Sequence, residues 1–259
     1  MDTQSLNNLF EKTPVRSVHF FDSIGSTNEE AMKLISSEDK FAETLFIADE
    51  QTNGRGRFDR RWFTPIGSAL AFTLALKLTE SEAEKLTLFS PLAGIAVCEA
   101  ISRIAEGVQI KWPNDVLINR QKVCVILTDS VWDDGRIKGV AVGIGINVYA
   151  GSVPPATEVQ FAATSVEQNA TKPVDRWMLL KEIVTSLYKW RAILGSREFF
   201  DNWQRNLAFV GEPVKVVSGH GEETRGFLQG VDAEGSLVLN VNGHPQTVTV
   251  GDVHLRLQN

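Results

Sequence analysis

Two apolar, β-rich segments, Leu45 to Gln51 and Ser68 to Leu78, stand on either side of the run NGRGRFDRRW. The three pieces read as strand, basic loop and strand, because both flanks are runs of strand-favouring residues bounded by turn-forming ones. Four arginines occupy seven consecutive positions, Arg55 to Arg61, in a chain of 26 basic and 32 acidic side chains with formal charge −6. The positive charge is therefore local. An acidic chain of this kind is not a general nucleic-acid or membrane-surface binder, which shows an excess of Lys and Arg.

The rest of the chain extends this unit into an α+β pattern. SVHFFDSI reads as a short strand, and GSTNEEAMKLISSE as a helix in which Thr27 and Glu30 have capping-box spacing. A helical period runs from about Glu82 to Ala105, divided at Ser90-Pro91 and closed by Gly107. VQIKWPNDVLIN, QKVCVILTDSVW and IKGVAVGIGINV are three β-rich segments separated by the turn signals NRQ and DDG. A second helical stretch covers Asp175 to Phe200 and continues to Leu207. From Gly211 onward, EPVKVVS, RGFLQGV, SLVLNV, QTVTV and VHLRL are five short β segments, a spacing that indicates a small barrel. The expected division is 1–209 for a mixed-sheet domain with helices and 210–259 for a small β domain.

At 259 residues and 43% hydrophobic, the chain is long enough to bury a core without cross-links. Cys98 and Cys124 lie in apolar runs and read as reduced, buried thiols of a cytoplasmic protein. The first fifteen residues lack the apolar core of a leader, and no stretch has the roughly 18 apolar residues that cross a bilayer. His19, His220, His244 and His254 are scattered, so no metal site is expected.

Several segments carry chemistry. In the arginine loop, glycines at alternate positions let the backbone approach a ligand, and guanidinium groups grip phosphate oxygens in pairs of hydrogen bonds. The same residues also suit a solvated loop in which the arginines pair with Asp59. Lys111-Trp112-Pro113-Asn114-Asp115 sits at a strand end and is by itself readable as a turn, as Lys122 is by itself readable as a solvated rim residue. Gly143 and Gly145 interrupt a β-branched run, which a bulge or a close ligand approach explains better than strand propensity. Val148 stands where GxGxxG needs its third glycine, and no GxxxxGK[ST] occurs, so dinucleotide and P-loop readings fail.

The ordered series GSTN, ADEQTNGRGRFDRRW, KWPND, a lysine before CVIL, and GIGINV resembles the biotin protein ligase family from about Phe21 to Asn147. The small C-terminal domain resembles that family's SH3-like barrel more weakly. The resemblance implies a mixed-sheet catalytic fold shared with lipoate ligases and octanoyl transferases. It also implies an ATP-dependent ligase that activates biotin as biotinyl-5′-AMP and transfers it to a lysine of a biotin carboxyl carrier protein of acetyl-CoA carboxylase or a related carboxylase. Biotin, ATP and Mg2+ would be its small-molecule partners. By the same resemblance, Ser26, Thr27, Asn28 and Gln51 lie at the biotin head group and Gly54 and Arg55 close that pocket. Arg57, Arg60, Lys111 and Lys122 surround the biotin carboxylate and the ATP α-phosphate, Trp62 packs on the adenylate, and Asn147 lies near the adenine. The implied catalytic group is Arg57, Lys111, Asp115 and Lys122, with Asp115 orienting the incoming amine.

The sequence departs from the family at Lys122-Val123-Cys124-Val125-Ile126-Leu127, where the usual pattern has glycine in place of Val125. Asp129 stands where the family usually has Glu. A valine at a point of close ligand approach is expected to narrow the pocket, which keeps a non-catalytic biotin-binding protein as an alternative beside a lipoate or octanoate ligase. About twenty residues precede the first catalytic strand, fewer than a helix-turn-helix module needs, so no specific DNA binding is expected. A homodimer in equilibrium with monomer is compatible with the resemblance.

Overall fold

The computed structural model describes residues 3–37, 40–56, 61–155, 161–217, 223–249 and 254–257. In the first part of the chain these form α1 (Thr3–Phe10), β1 (Ser17–Ile24), α2 (Thr27–Ser37), β2 (Thr44–Gln51), β3 (Ala69–Leu76), α3 (Glu80–Ala83) and α4 (Phe89–Ile101). They continue with β4 (Val108–Lys111), β5 (Asp115–Ile118), β6 (Gln121–Asp133), β7 (Arg136–Asn147), α5 (Val166–Asn169), α6 (Arg176–Arg191) and α7 (Arg197–Asn206). The last part holds β8 (Pro213–Val217), β9 (Glu223–Val231), β10 (Leu237–Val241), β11 (His244–Val248) and β12 (His254–Leu257). Among the described residues no helix is long and apolar enough to cross a membrane.

Seven strands make one mixed sheet in the order β1-β2-β3-β7-β6-β5-β4, parallel only between β1 and β2. The last five make an antiparallel sheet in the order β11-β10-β9-β8-β12, so each expected C-terminal β segment is a strand. The run VQIKWPNDVLIN is a hairpin rather than one strand: it folds back at the cis Trp112–Pro113 peptide, pairing β4 with β5. The long helical period divides earlier than Ser90-Pro91 predicts. Helix α3 ends at Ala83, a short 3-10 turn spans Leu86–Leu88, and Pro91 is the third residue of α4. The Ser90 hydroxyl donates to Pro113 O instead of capping. Thr27, expected as a cap, is the first residue of α2, with its hydroxyl turned toward Gln51 and Thr73.

Strand alternation separates two faces of the mixed sheet. Leu70, Phe72, Leu74 and Leu76 of β3 and Val140, Val142, Ile144 and Ile146 of β7 enter the main core with α4 and α6. Burying each such side chain contributes roughly 1.5–3 kcal/mol. The opposite face carries small residues: Ala71, Thr73 and Ala75 on β3 lie opposite Gly145, Gly143 and Ala141 on β7. Helix α2 covers only part of it, through a second cluster of Ala31, Ile35, Phe41, Phe46, Ala75 and Ala141. Asn28 in the first turn of α2 reaches as far as Gly143, the part around Gly145 and Asn147 lies beyond that apolar cluster, and the candidate residues converge there.

Candidate active site

Three groups of side chains meet on this small-residue face. The polar group is built from the first turn of α2, the end of β2 and the middle of β3. Both the amide N–H and the hydroxyl of Thr27 reach Gln51 Oε1, at 2.9 and 3.1 Å. Thr73 Oγ1 lies 2.6 Å from Asn28 Oδ1 and 2.8 Å from Thr27 Oγ1. Asn28 Nδ2 donates to Asp129 Oδ2 at 2.8 Å and to Leu127 O at 3.2 Å. Thr27, Asn28, Thr73 and Ser26 are all buried. Gly143 has no side chain because the Asn28 amide fills the place a Cβ would take.

The cationic group comes from the β4-β5 hairpin and the start of β6. Asp115 receives Lys122 Nζ on Oδ1 at 2.6 Å and Lys111 Nζ on Oδ2 at 3.2 Å. Burial acts to raise the Asp115 pKa, but the charges of Lys122 and then Lys111, with their hydrogen bonds, outweigh it and hold the carboxyl below the ordinary carboxylate range. The Lys111 side chain is only 5% exposed, and its ammonium also sits 4.5 Å from the centre of the Phe161 ring. Phe161 is brought there because its following segment runs beside β6, with Lys122 N–H donating to Ala162 O and Thr164 N–H to Lys122 O.

Trp62 joins the two groups. Its ring lies 5.7 Å from Lys122 Nζ and rests on Gly145, where a Cβ would collide with the indole. The indole Nε1 is buried with no hydrogen-bond partner among the described residues. Trp62 is held by its own N–H to Gly54 O at 2.9 Å, and the return contact is so close that a Cβ at Gly54 would stand 2.6 Å from Trp62 O. Arg55 pairs with Glu29 of α2. Asn147, at the end of the same strand as Gly143 and Gly145, donates to Thr164 O at 3.1 Å while its buried Oδ1 has no partner among the described residues. Unsatisfied buried donors and acceptors are uncommon and call for a cause such as an ordered water or a ligand, and Thr64 Oγ1 and Trp203 Nε1 are two others among the described residues.

Ser26, Thr27, Asn28, Gln51, Gly54, Arg55, Trp62, Lys111, Asp115, Lys122 and Asn147 are thus gathered around one sheet face, although they span 122 positions of sequence from 26 to 147. Arg57 and Arg60 lie outside the described residues. Two network members were not among the expected site residues. Thr73 is the one polar residue inside the apolar run Ala69 to Leu76, a signal visible in the sequence. Asp129 is noticeable there only as a replacement for Glu, and its bond to Asn28 spans 101 positions. Val125 pairs with Asp115 on one side and Gly145 on the other, is 5% exposed, and packs into neither apolar cluster. It therefore forms an apolar wall beside the face on which Trp62 rests. Among the described residues no cluster of His, Cys, Asp and Glu could hold a metal ion.

A small-residue sheet face with a buried hydroxyl and amide cluster at one end and two lysines on a carboxylate at the other has the chemistry to take an elongated ligand with a neutral head and an anionic tail. Residues 20–147 match the Biotin/lipoate A/B protein ligase family. The chain is 35% identical over 237 residues to the biotin–[acetyl-CoA-carboxylase] ligase of Paracoccus denitrificans, covering 88% of this chain and 96% of that one. It is 32% identical over 251 residues to the bifunctional ligase/repressor BirA of Bacillus subtilis, covering 94% and 76% respectively. The biotin protein ligase of Aquifex aeolicus, solved in complex with biotin and ATP, superimposes with a TM-score of 0.78 at 27% identity, over 94% of this chain and all of that one. The chain belongs to the biotin/lipoate protein ligase family.

Proposed function

We infer that this protein is an ATP-dependent biotin ligase. It activates the biotin carboxylate as biotinyl-5′-AMP, releasing pyrophosphate, and passes the biotinyl group to a lysine of a biotin carboxyl carrier protein of the acetyl-CoA carboxylase type. The observation that carries this reading is the meeting of the Lys111-Asp115-Lys122 cluster and the Thr27-Gln51-Thr73 cluster on one small-residue face, joined by Trp62. Relatives named as biotin ligases over nearly the whole chain support it.

In the first step two anions meet: a carboxylate oxygen attacks the α-phosphorus and pyrophosphate leaves. Pre-placed cations that strengthen their hold as charge builds are the main requirement. Lys122 and Lys111 supply them, and Asp115 fixes the directions of both ammonium groups. A carboxylate already bonded to two ammonium groups and held ionised is a weak base, so Asp115 acts by orientation. In the second step the carrier amine, with an ordinary pKa of about 10.4, must shed a proton before attack on the mixed anhydride; Asp115 is proposed to orient that amine. The unpartnered Asn147 Oδ1 suits the adenine amino group and the unpartnered Trp62 Nε1 the adenylate. Mg2+ is proposed to enter with the nucleotide phosphates. Arg57 and Arg60 are proposed to pair with those phosphates through their guanidinium groups. The setting is proposed to be the cytoplasm, which suits the two free, buried thiols.

The test is biotin-dependent pyrophosphate release from MgATP, with lipoate and octanoate as competitors and a carrier domain added afterwards. Release with biotin and labelling of the carrier are expected. Lys122→Met should lower release by roughly 10²–10³-fold and also weaken biotin binding by calorimetry, because the same ammonium faces the biotin carboxylate. Equal or faster turnover of lipoate overturns the biotin assignment, and retained biotin binding without release overturns catalysis.

A further inference from the structure

The polar cluster has a fixed hydrogen-bond direction, set by the Asp129 carboxylate at 2.8 Å with the Leu127 carbonyl as the longer, uncharged second acceptor at 3.2 Å. The Asn28 amide group facing both the Asp129 carboxylate and the Leu127 carbonyl meets two acceptors, so that atom is the amide nitrogen. Asn28 Oδ1 then faces Thr73, whose single hydroxyl hydrogen is spent on it at 2.6 Å. The 2.8 Å contact between the Thr73 and Thr27 hydroxyls therefore has its proton only if Thr27 donates. Once Thr27 donates there, its 3.1 Å approach to Gln51 Oε1 brings two oxygen lone pairs together with no hydrogen between them. Gln51 cannot escape by turning its amide over, because the Thr27 backbone N–H donates to Oε1 at 2.9 Å and holds it.

We propose that Asp129 is a positioning residue that polarises the relay Thr27→Thr73→Asn28→Asp129, so that Thr27 Oγ1 and Gln51 Oε1 form a paired acceptor for an N–H of the ligand head group. This rests on the biotin reading and specifies how that site tells a ureido ring from a head group without N–H donors. A ligand N–H entering between the two oxygens relieves their repulsion and completes the network. Asn28 takes no part in ligand contact through its amide: both ends are consumed inside the protein, and its role is to transmit the direction set by Asp129.

The experiment measures affinity by calorimetry and pyrophosphate release for wild type, Asp129→Leu and Asp129→Asn, each with biotin and with a ring-N-methylated biotin lacking the donor. Wild type is expected to discriminate strongly against the methylated compound, because a site built around a hydrogen bond rejects a ligand that lacks it. Asp129→Leu, which removes the acceptor at similar size, should raise the biotin KM by about tenfold or more, leave kcat within a few-fold, and collapse the discrimination ratio. Asp129→Asn keeps an acceptor and should restore most of it. A purely structural loss would weaken both compounds by the same factor, and that outcome, or an unchanged biotin KM in Asp129→Leu, overturns the relay. Because affinity is read separately, a wild type that binds biotin but releases no pyrophosphate fails the ligase reading while the ratio still decides the relay. A wild type that does not bind biotin overturns both.

Discussion

At the scale of single residues, Val125 and Asp115 are cross-strand neighbours with opposite demands. Val125 puts a branched side chain where Ala71 and Gly145 leave the same row of the sheet bare. Trimming it should open the pocket: Val125→Gly is expected to bind biotin about tenfold tighter, from the roughly 1–3 kcal/mol that an overfilled site costs, and to unfold at lower denaturant because a buried strand residue has been lost. Equal biotin affinities for the two proteins by calorimetry would show that Val125 does not narrow the site. Asp115 concerns charge rather than space. Its folded-state pKa is depressed, so the stability it contributes is complete above its unfolded value of about 3.9 and is lost as pH falls through the lower folded value. No titration of Asp115 therefore falls near neutrality. The pH–rate profile of adenylate formation between pH 6 and 8 should keep its shape in Asp115→Asn while its plateau falls about 10²-fold; a changed slope would mean that Asp115 exchanges a proton in the reaction.

At the scale of elements, the strands and helices were mostly legible because their signals are local, while the links that build the site were not. The runs SVHFFDSI, LFIADEQ and SALAFTLALKL became β1, β2 and β3, with ends shifted by at most two residues. In VQIKWPNDVLIN the turn at KWPND was legible but the pairing of its two arms was not, because both are short and apolar and read as one β-rich segment. The Ser90-Pro91 boundary was misplaced because the Ser90 hydroxyl found a tertiary acceptor, Pro113 O, which no local pattern records. Thr73 and Asp129 join the site through bonds to Asn28 spanning 45 and 101 positions. Glu99 shows the same long reach between helices α4 and α6: it accepts from Ser186 Oγ, Lys189 Nζ and Trp190 Nε1. Burial raises its pKa, but bonds from Lys189, Trp190 and Ser186 lower it further, to a net value below the ordinary one. The stabilisation is thus present above about pH 4.3 and lost as pH falls through the depressed value. Glu99→Gln should cost about 1–2 kcal/mol at pH 7, and the gap in denaturant unfolding should close in acid. A gap that is constant with pH would show that the charge contributes nothing.

At the scale of the whole molecule, the second sheet is fastened behind the KWPND turn rather than across the ligand face. Trp112, directly after Lys111, donates its indole N–H to Gly235 O at 3.2 Å, and Trp203 packs at the same glycine. Gln204 of α7 makes the other fastening, giving Nε2 to Gln229 O and accepting the Val231 N–H on Oε1, so that its amide takes the place of a ladder partner where β9 shifts register against β10. Gly230, at φ +151°, is bare because the Gln204 amide fills the space beside it. Removing that amide leaves a donor and an acceptor of β9 without partners. Gln204→Ala is therefore expected to lose about 1–3 kcal/mol and to speed amide hydrogen exchange between residues 223 and 241. The candidate site is assembled from α2, β2, β3, the β4-β5 hairpin, β6 and β7, none of which Gln204 touches through these bonds, so biotin-dependent pyrophosphate release at 25 °C should be nearly unchanged. If release instead falls in step with the loosened exchange, the pull is transmitted through Gly235 and Trp112 to Lys111. The second sheet would then be part of the mechanism that sets the cationic end of the site.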